Sequence, residues 1–184
     1  MTPPKVTSIL FVCMGNICRS PTAEAVFQAK VRARGLADYL TIDSAGMYLN
    51  HVGEAPDPRA QSHALKRGYD LSKQRARQVK ANDFEQFDLI LAMDKHNLAL
   101  LEAACPTSYR SKLGLLMAYA QHTNASEVPD PYYEGGKSFD LVLDYIDDAT
   151  DGLLSRLEVT HSFPERTSCG IPPSSVSSGS KNLK

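Results

Sequence analysis

An unbroken apolar run, Ile9-Leu10-Phe11-Val12, predicts a short strand over Lys5–Val12 that is buried on both faces. A helical period follows: Ala23, Val26, Phe27 and Val31 fall on one face of a helix over Pro21–Arg34, with Gly35 as its stop. Tyr39–Asp43 reads as a second strand. Asp57-Pro58 has the form of an N-cap with proline at the first helical position, so Pro58–Lys66 is a predicted helix ending near Gly68. Phe87–Met93 is another predicted strand, and Asp94 caps a helix running to about Ala103. A short strand near Leu113–Met117 and a final helix from about Phe139 to Leu157 complete the pattern.

Strands separated by helices of this length imply an α/β fold, a parallel sheet covered on both faces. Ligands bind such sheets at the carboxyl ends of the strands. From about Thr160 the pattern changes. Pro172, Pro173 and a serine-rich run offer little to bury, so the expected organisation is a domain over residues 1–159 and a disordered tail over 160–184.

Composition narrows the function more than the fold. The 184 residues carry 20 basic and 21 acidic side chains, a net charge of -1, which gives no sign of a nucleic-acid partner. Any electropositive site must therefore be local. The run from Ser8 to Val12 is too short for a signal-peptide core, and no apolar stretch is long enough to span a bilayer. Cys13, Cys18, Cys105 and Cys169 do not have the density of a secreted disulfide framework. A cytoplasmic protein is the expectation.

The chemistry concentrates in Cys13-Met14-Gly15-Asn16-Ile17-Cys18-Arg19-Ser20, placed between the first strand and a Ser20-Pro21 helix start. Backbone N–H groups of such a loop converge on an anion at the positive end of a helix. A cysteine there is favoured as thiolate, the form that attacks electrophiles. Arg19 suits a clamp, because its planar fork binds two phosphate oxygens together. The N–H groups from Met14 to Arg19 form a candidate cradle, and Ser20 is in reach of the sulfur or the phosphoryl group. Gly15 is expected to supply unusual dihedrals and Asn16 to tolerate the left-handed region. The loop lacks the Gly-Lys-Ser/Thr of a Walker A motif. Cys13 and Cys18 have no second Cys/His pair at zinc-ligand spacing, so neither metal nor cofactor is expected. A proton donor for the leaving oxygen is best sought at Asp130, stiffened by Pro129 and Pro131 and walled by Tyr132 and Tyr133.

With these residues in place, Val12–Phe27 resembles the signature of the low-molecular-weight protein tyrosine phosphatases. Asp43-Ser44-Ala45-Gly46, His51-Val52-Gly53, Ala76-Arg77-Gln78, Met93-Asp94 and Asp130-Pro131-Tyr132-Tyr133 follow in the family's order. The resemblance implies a flavodoxin-like fold with a four-stranded parallel sheet and a two-step reaction. Cys13 forms a cysteinyl-phosphate while Asp130 protonates the tyrosyl oxygen, and Asp130 then activates water. It further implies a network of Asn16, Ser20 and Ser44 that shapes the loop, and a Cys18 that protects Cys13 through a reversible disulfide. The partner the resemblance implies is a phosphotyrosine-containing protein, and the chain is expected as a monomer or weak homodimer.

Two places depart from the pattern, and a third position bears on specificity. Gln74 stands where the family often has a histidine of the loop network, so that position cannot titrate. Met47-Tyr48-Leu49-Asn50 replaces a Thr-Gly-x-Trp segment, leaving Tyr48, Asn50, Tyr132 and Tyr133 as candidate pocket walls. Ile17 keeps the apolar residue of tyrosine-specific members, where threonine accompanies phosphoarginine preference. Two other readings share the fold. An arsenate reductase needs further cysteines near the end of the third strand, where Leu91-Ala92-Met93-Asp94 has none. A non-catalytic phosphotyrosine-binding module would be expected to have lost Cys13, Arg19 or Asp130.

Overall fold

The computed structural model describes residues 7–161 and Phe163. Four parallel strands form one sheet in the order β2-β1-β3-β4. They are β1 (Thr7–Cys13), β2 (Leu40–Gly46), β3 (Leu89–Ala92) and β4 (Leu113–Leu115). Five α-helices connect or follow them: α1 (Arg19–Ala33), α2 (Pro58–Lys66), α3 (Ala81–Gln86), α4 (Lys95–Ala104) and α5 (Gly136–Thr160). This is the flavodoxin-like α/β arrangement the sequence implies.

β1 is central because its Ile9–Val12 run is unbroken by polar residues: Ile9, Leu10, Phe11 and Val12 are fully buried. Successive side chains point to opposite faces. Ile9, Phe11 and Cys13 enter the core shared with α1, α2 and α5, while Leu10 and Val12 enter a smaller core with Phe84, Phe87 and Leu101. The chain leaves β1 towards β2 on one side and returns to β3 on the other, so the switch point of the sheet lies at the carboxyl end of β1. Cys13 is its last residue.

Several predicted boundaries move, and the reasons bear on the site. β2 runs past Asp43 through Ser44, Ala45 and Gly46, in parallel register with Phe11–Cys13. Ser44 is polar and Gly46 has no side chain, so periodicity alone ends the strand early. α1 begins at Arg19, not Pro21, which puts the guanidinium residue in the first helical turn. α5 extends to Thr160, where the sequence predicts the tail to begin. The tail from Pro164 lies outside the described residues, as do Lys5 and Val6 of the first predicted strand.

Helix α3 has no counterpart in the prediction. Its six residues, Ala-Asn-Asp-Phe-Glu-Gln, bury a single large apolar side chain, Phe84, and so show no period. Asp83 holds its start by accepting the Lys80 N–H at 2.7 Å. Among the described residues no helix is long and apolar enough to cross a membrane.

Candidate active site

Cys13 leaves the sheet and the chain turns sharply before α1. The turn is made by Asn16, at φ 57°, the non-glycine residue with positive φ among those described. Gly15 does not supply the left-handed dihedral that its type suggests. It supplies clearance, since a Cβ there would stand 3.0 Å from His51 Cδ2. Flanking loops hold the turn by its carbonyls: Met47 N–H donates to Cys13 O (3.0 Å), Tyr48 N–H to Met14 O (2.9 Å) and Asp57 N–H to Ile17 O (2.7 Å). From Met14 to Cys18, among the described residues, the loop's own N–H groups have no protein acceptor and remain available to an anion.

Below the loop, Asn16 Nδ2 donates to Ser20 Oγ and to Ser44 Oγ, both at 2.9 Å. Asn16 Oδ1 accepts the Arg77 N–H at 2.9 Å. Ser20 Oγ lies 3.0 Å from Cys13 Sγ. Ser44 Oγ in turn donates to Glu24 Oε2 at 2.6 Å. Gln74 touches this network only at its far end, beside Glu24, and donates from Nε2 to the Pro21 carbonyl at 3.0 Å.

Arg19 is almost wholly buried, with 2% of its side chain exposed. Nη1 bonds Asp94 and, at 3.1 Å, the Val128 carbonyl, while Nη2 bonds Asp130 Oδ2 at 2.9 Å. Burial alone would lower its pKa, but the facing Cys13, Asp130 and Asp94 outweigh burial and hold it above the ordinary arginine value. Cys18 goes the other way chemically: burial, then Asp57, pushes its thiol far up, so it is a neutral S–H.

These groups open into a cavity of about 480 Å³. Its floor is the loop with Cys13 and Arg19, and Asp130 stands at the wall with Tyr48, Asn50, His51, Tyr132 and Tyr133. The tyrosines do not enclose Asp130 as the sequence suggests. Its carboxylate is 44% exposed and is tied to Arg19, while the Tyr132 and Tyr133 rings pack edge to face with centroids 4.9 Å apart. Arg59 covers Tyr132 from outside, its Cζ 5.7 Å from the ring centroid. The structure thus brings Cys13, Arg19, Asp130, Tyr48, Asn50, Tyr132 and Tyr133 around one cavity, with Asn16, Ser20 and Ser44 beneath it and Gln74 one step removed.

The sequence of this chain matches the sequence model for low molecular weight phosphotyrosine protein phosphatase over residues 8–162. The chain belongs to that family. A low molecular weight phosphotyrosine protein phosphatase of Schizosaccharomyces pombe is 45% identical over 136 residues, covering 73% of this chain and 86% of its own. The crystal structure of a protein tyrosine phosphatase from Entamoeba histolytica, with Hepes in the active site, superposes with a TM-score of 0.82 at 39% identity, covering 84% of this chain and 98% of that one. The Vibrio vulnificus protein Wzb, solved in complex with benzylphosphonate, superposes with a TM-score of 0.72 at 30% identity, covering 83% and 99%. This low molecular weight phosphatase chain is therefore an enzyme of the protein tyrosine phosphatase class.

Three residues at this family member's site are not among the candidate site residues that the sequence singles out. Asp94 reads as a helix cap, and its Oδ1 does accept the Asn97 N–H at 2.7 Å, but its other oxygen orients Arg19. His51 meets Gly15 across the loop and bonds Glu54 Oε2 through Nδ1 at 2.7 Å. Glu24 had a legible signal: Ser20, Glu24 and Gln28 recur every four residues, which puts them on one face of α1. No group of three His, Cys, Asp or Glu residues suited to a metal ion occurs among the described residues.

Proposed function

We propose that this enzyme hydrolyses phosphotyrosine in proteins through a cysteinyl-phosphate, with Cys13 as nucleophile, Arg19 as phosphate clamp and Asp130 as acid and then base. The observation that carries this reading is the convergence of a buried cysteine sulfur, a buried guanidinium and a carboxylate on one cavity lined by unpaired backbone donors. In the first step the Cys13 thiolate attacks phosphorus, the bond from phosphorus to the tyrosyl oxygen breaks, and that oxygen takes the Asp130 proton. In the second step Asp130 removes a proton from water as the water oxygen attacks phosphorus. The S–P bond breaks, returning the thiolate and releasing inorganic phosphate. Arg19 and the loop N–H groups hold the non-reacting oxygens throughout, where charge is greatest.

Ring size supports a tyrosyl substrate. A cavity of this volume, walled by Tyr48, Tyr132 and Tyr133, accepts an aromatic ring above the loop. Cys18 lines the same cavity as Cys13, which places it to condense with a Cys13 sulfenic acid formed by peroxide, giving a disulfide and water, once the thiol that burial keeps protonated loses its proton. The arsenate reductase reading finds less support. Cys105 is buried in the opposite core at the end of α4, bonded to the Pro106 carbonyl, and takes no part in the cavity.

The test is hydrolysis of p-nitrophenyl phosphate in the presence of a metal chelator. Wild type should turn over, and Cys13→Ser should be inert. Equal activity of the two proteins would sink the proposal, and thiol-coupled arsenate reduction without phosphatase activity would favour the reductase.

A further inference from the structure

Beneath the loop, a carboxylate with no part in the reaction steps above closes a chain of hydrogen bonds that ends at the nucleophile. Glu24 lies one helical turn after Ser20. Its Oε2 accepts from Ser44 Oγ at 2.6 Å and its Oε1 from Gln28 Nε2 at 3.1 Å. The Asn16 amide stands between the two serines, and its Oδ1 is occupied by the Arg77 N–H.

These partners fix the direction of each hydrogen. An amide nitrogen donates only, so both Asn16 hydrogens go to serine oxygens and each serine must place its own hydrogen elsewhere. Ser44 places its hydrogen on Glu24. Ser20 has two acceptors in reach, Cys13 Sγ at 3.0 Å and the Ala45 carbonyl at 3.3 Å. We propose that Glu24 is a positioning residue for the Cys13 nucleophile: as terminal acceptor it polarises the chain Ser44–Asn16–Ser20 so that the Ser20 hydrogen is directed at the sulfur. The proposal rests on the assignment of Cys13 as nucleophile.

Burial, chiefly, and the nearby Asp43 raise the Glu24 pKa above the ordinary carboxylate value, while the hydrogens it accepts from Ser44, Gln28 and Gln74 favour its ionised form. Gln74 offers it an amide hydrogen and no charge, and Gln74 Oε1 is itself buried without a hydrogen-bond partner. The charged group facing it from β2 is Asp43, whose own carboxylate is bonded to Arg77. Without Glu24, the Ser44 hydrogen could be accepted within the chain only if the Asn16 amide flipped to present Oδ1. Ser20 would then donate to Asn16 instead of sulfur, and the Arg77 N–H would face another donor.

Alkylation of Cys13 by iodoacetamide, followed peptide by peptide with mass spectrometry across pH, reads the sulfur without turnover. Arg19, Asp94 and Asp130, which also set the field at Cys13, are unchanged in every variant. Glu24→Leu removes the acceptor and should slow alkylation about three- to tenfold on the acid side of the profile. Glu24→Gln keeps an oxygen for Ser44 and should stay near wild type. Ser44→Ala leaves the Glu24 charge in place and should behave like Glu24→Leu, which decides the matter even if Glu24→Leu does not fold. A carboxylate acting only through space predicts the opposite sign, since removing an anion favours the thiolate; both Glu24 variants would then alkylate faster and alike. That pattern, or rates equal in all proteins, overturns the proposal. If wild type itself fails to hydrolyse p-nitrophenyl phosphate, the phosphatase assignment falls while the alkylation comparison still stands or fails by its own result.

Discussion

In the proposed mechanism Asp130 serves the first step only where the leaving oxygen needs a proton. Asp130→Asn should therefore slow a phosphotyrosyl peptide by about a hundredfold, and an ester of an acidic phenol such as p-nitrophenol much less. Equal slowing, measured as kcat on the two substrates, would remove Asp130 from the acid role. At this scale the sequence shows residue types well and shared duties poorly. Cys13, Arg19 and Asp130 are legible because thiol, guanidinium and carboxylate each have a distinct chemistry. Asp94 reads as a cap because that is one of its two functions, and the second depends on a guanidinium 75 positions away. Gly15 and Asn16 were both legible as turn residues, but only the backbone shows which of them takes the positive φ and which gives clearance.

The end of β2 is as much a part of the loop as the loop itself. A Cβ on Gly46 would lie 2.8 Å from Met14 O and 2.9 Å from both Asn16 N and Gly15 C, all backbone atoms that cannot rotate away. Gly46→Ala should leave the fold intact and cut kcat/KM by an order of magnitude or more, as the donors move off the phosphate. Unchanged kinetics with unchanged circular dichroism would refute that. Helix α2 is held at its start by Asp57, which accepts the Arg59 N–H at 2.8 Å. Asp57→Ala should cost about 1 kcal/mol in urea unfolding at neutral pH. The Arg59 side chain, chiefly, holds the Asp57 carboxyl below its ordinary value. The folded value is thus below the unfolded one, so this contribution is present above the ordinary carboxylate pKa and is lost as pH falls through the lowered one. Wild type and Asp57→Ala should converge in stability there. The caps at Asp57 and Asp94 were readable because each combines a side-chain acceptor with the start of a helix. Helix α3 was not, because one buried phenylalanine makes no period.

Across the whole molecule, α5 closes the larger core and meets the turn at Leu116–Tyr119, where a Cβ on Gly152 would lie 1.8 Å from the Tyr119 carbonyl oxygen. Gly152→Ala should destabilise the protein by roughly 1–3 kcal/mol in urea while kcat per folded molecule is unchanged, because Gly152 is no part of the catalytic cavity. The sheet order was legible as a class, since buried strands separated by helices leave few alternatives. The pairings that build the site were not, because Arg19 meets Asp130 across 111 residues of chain. That ion pair has an implication for how substrate enters. In the proposed mechanism an incoming phosphate dianion competes with the Asp130 carboxylate already seated on the Arg19 guanidinium. Asp130→Asn, which lacks the competing charge, should then bind inorganic phosphate several-fold more tightly than wild type, as a competitive inhibitor, even as it turns over more slowly.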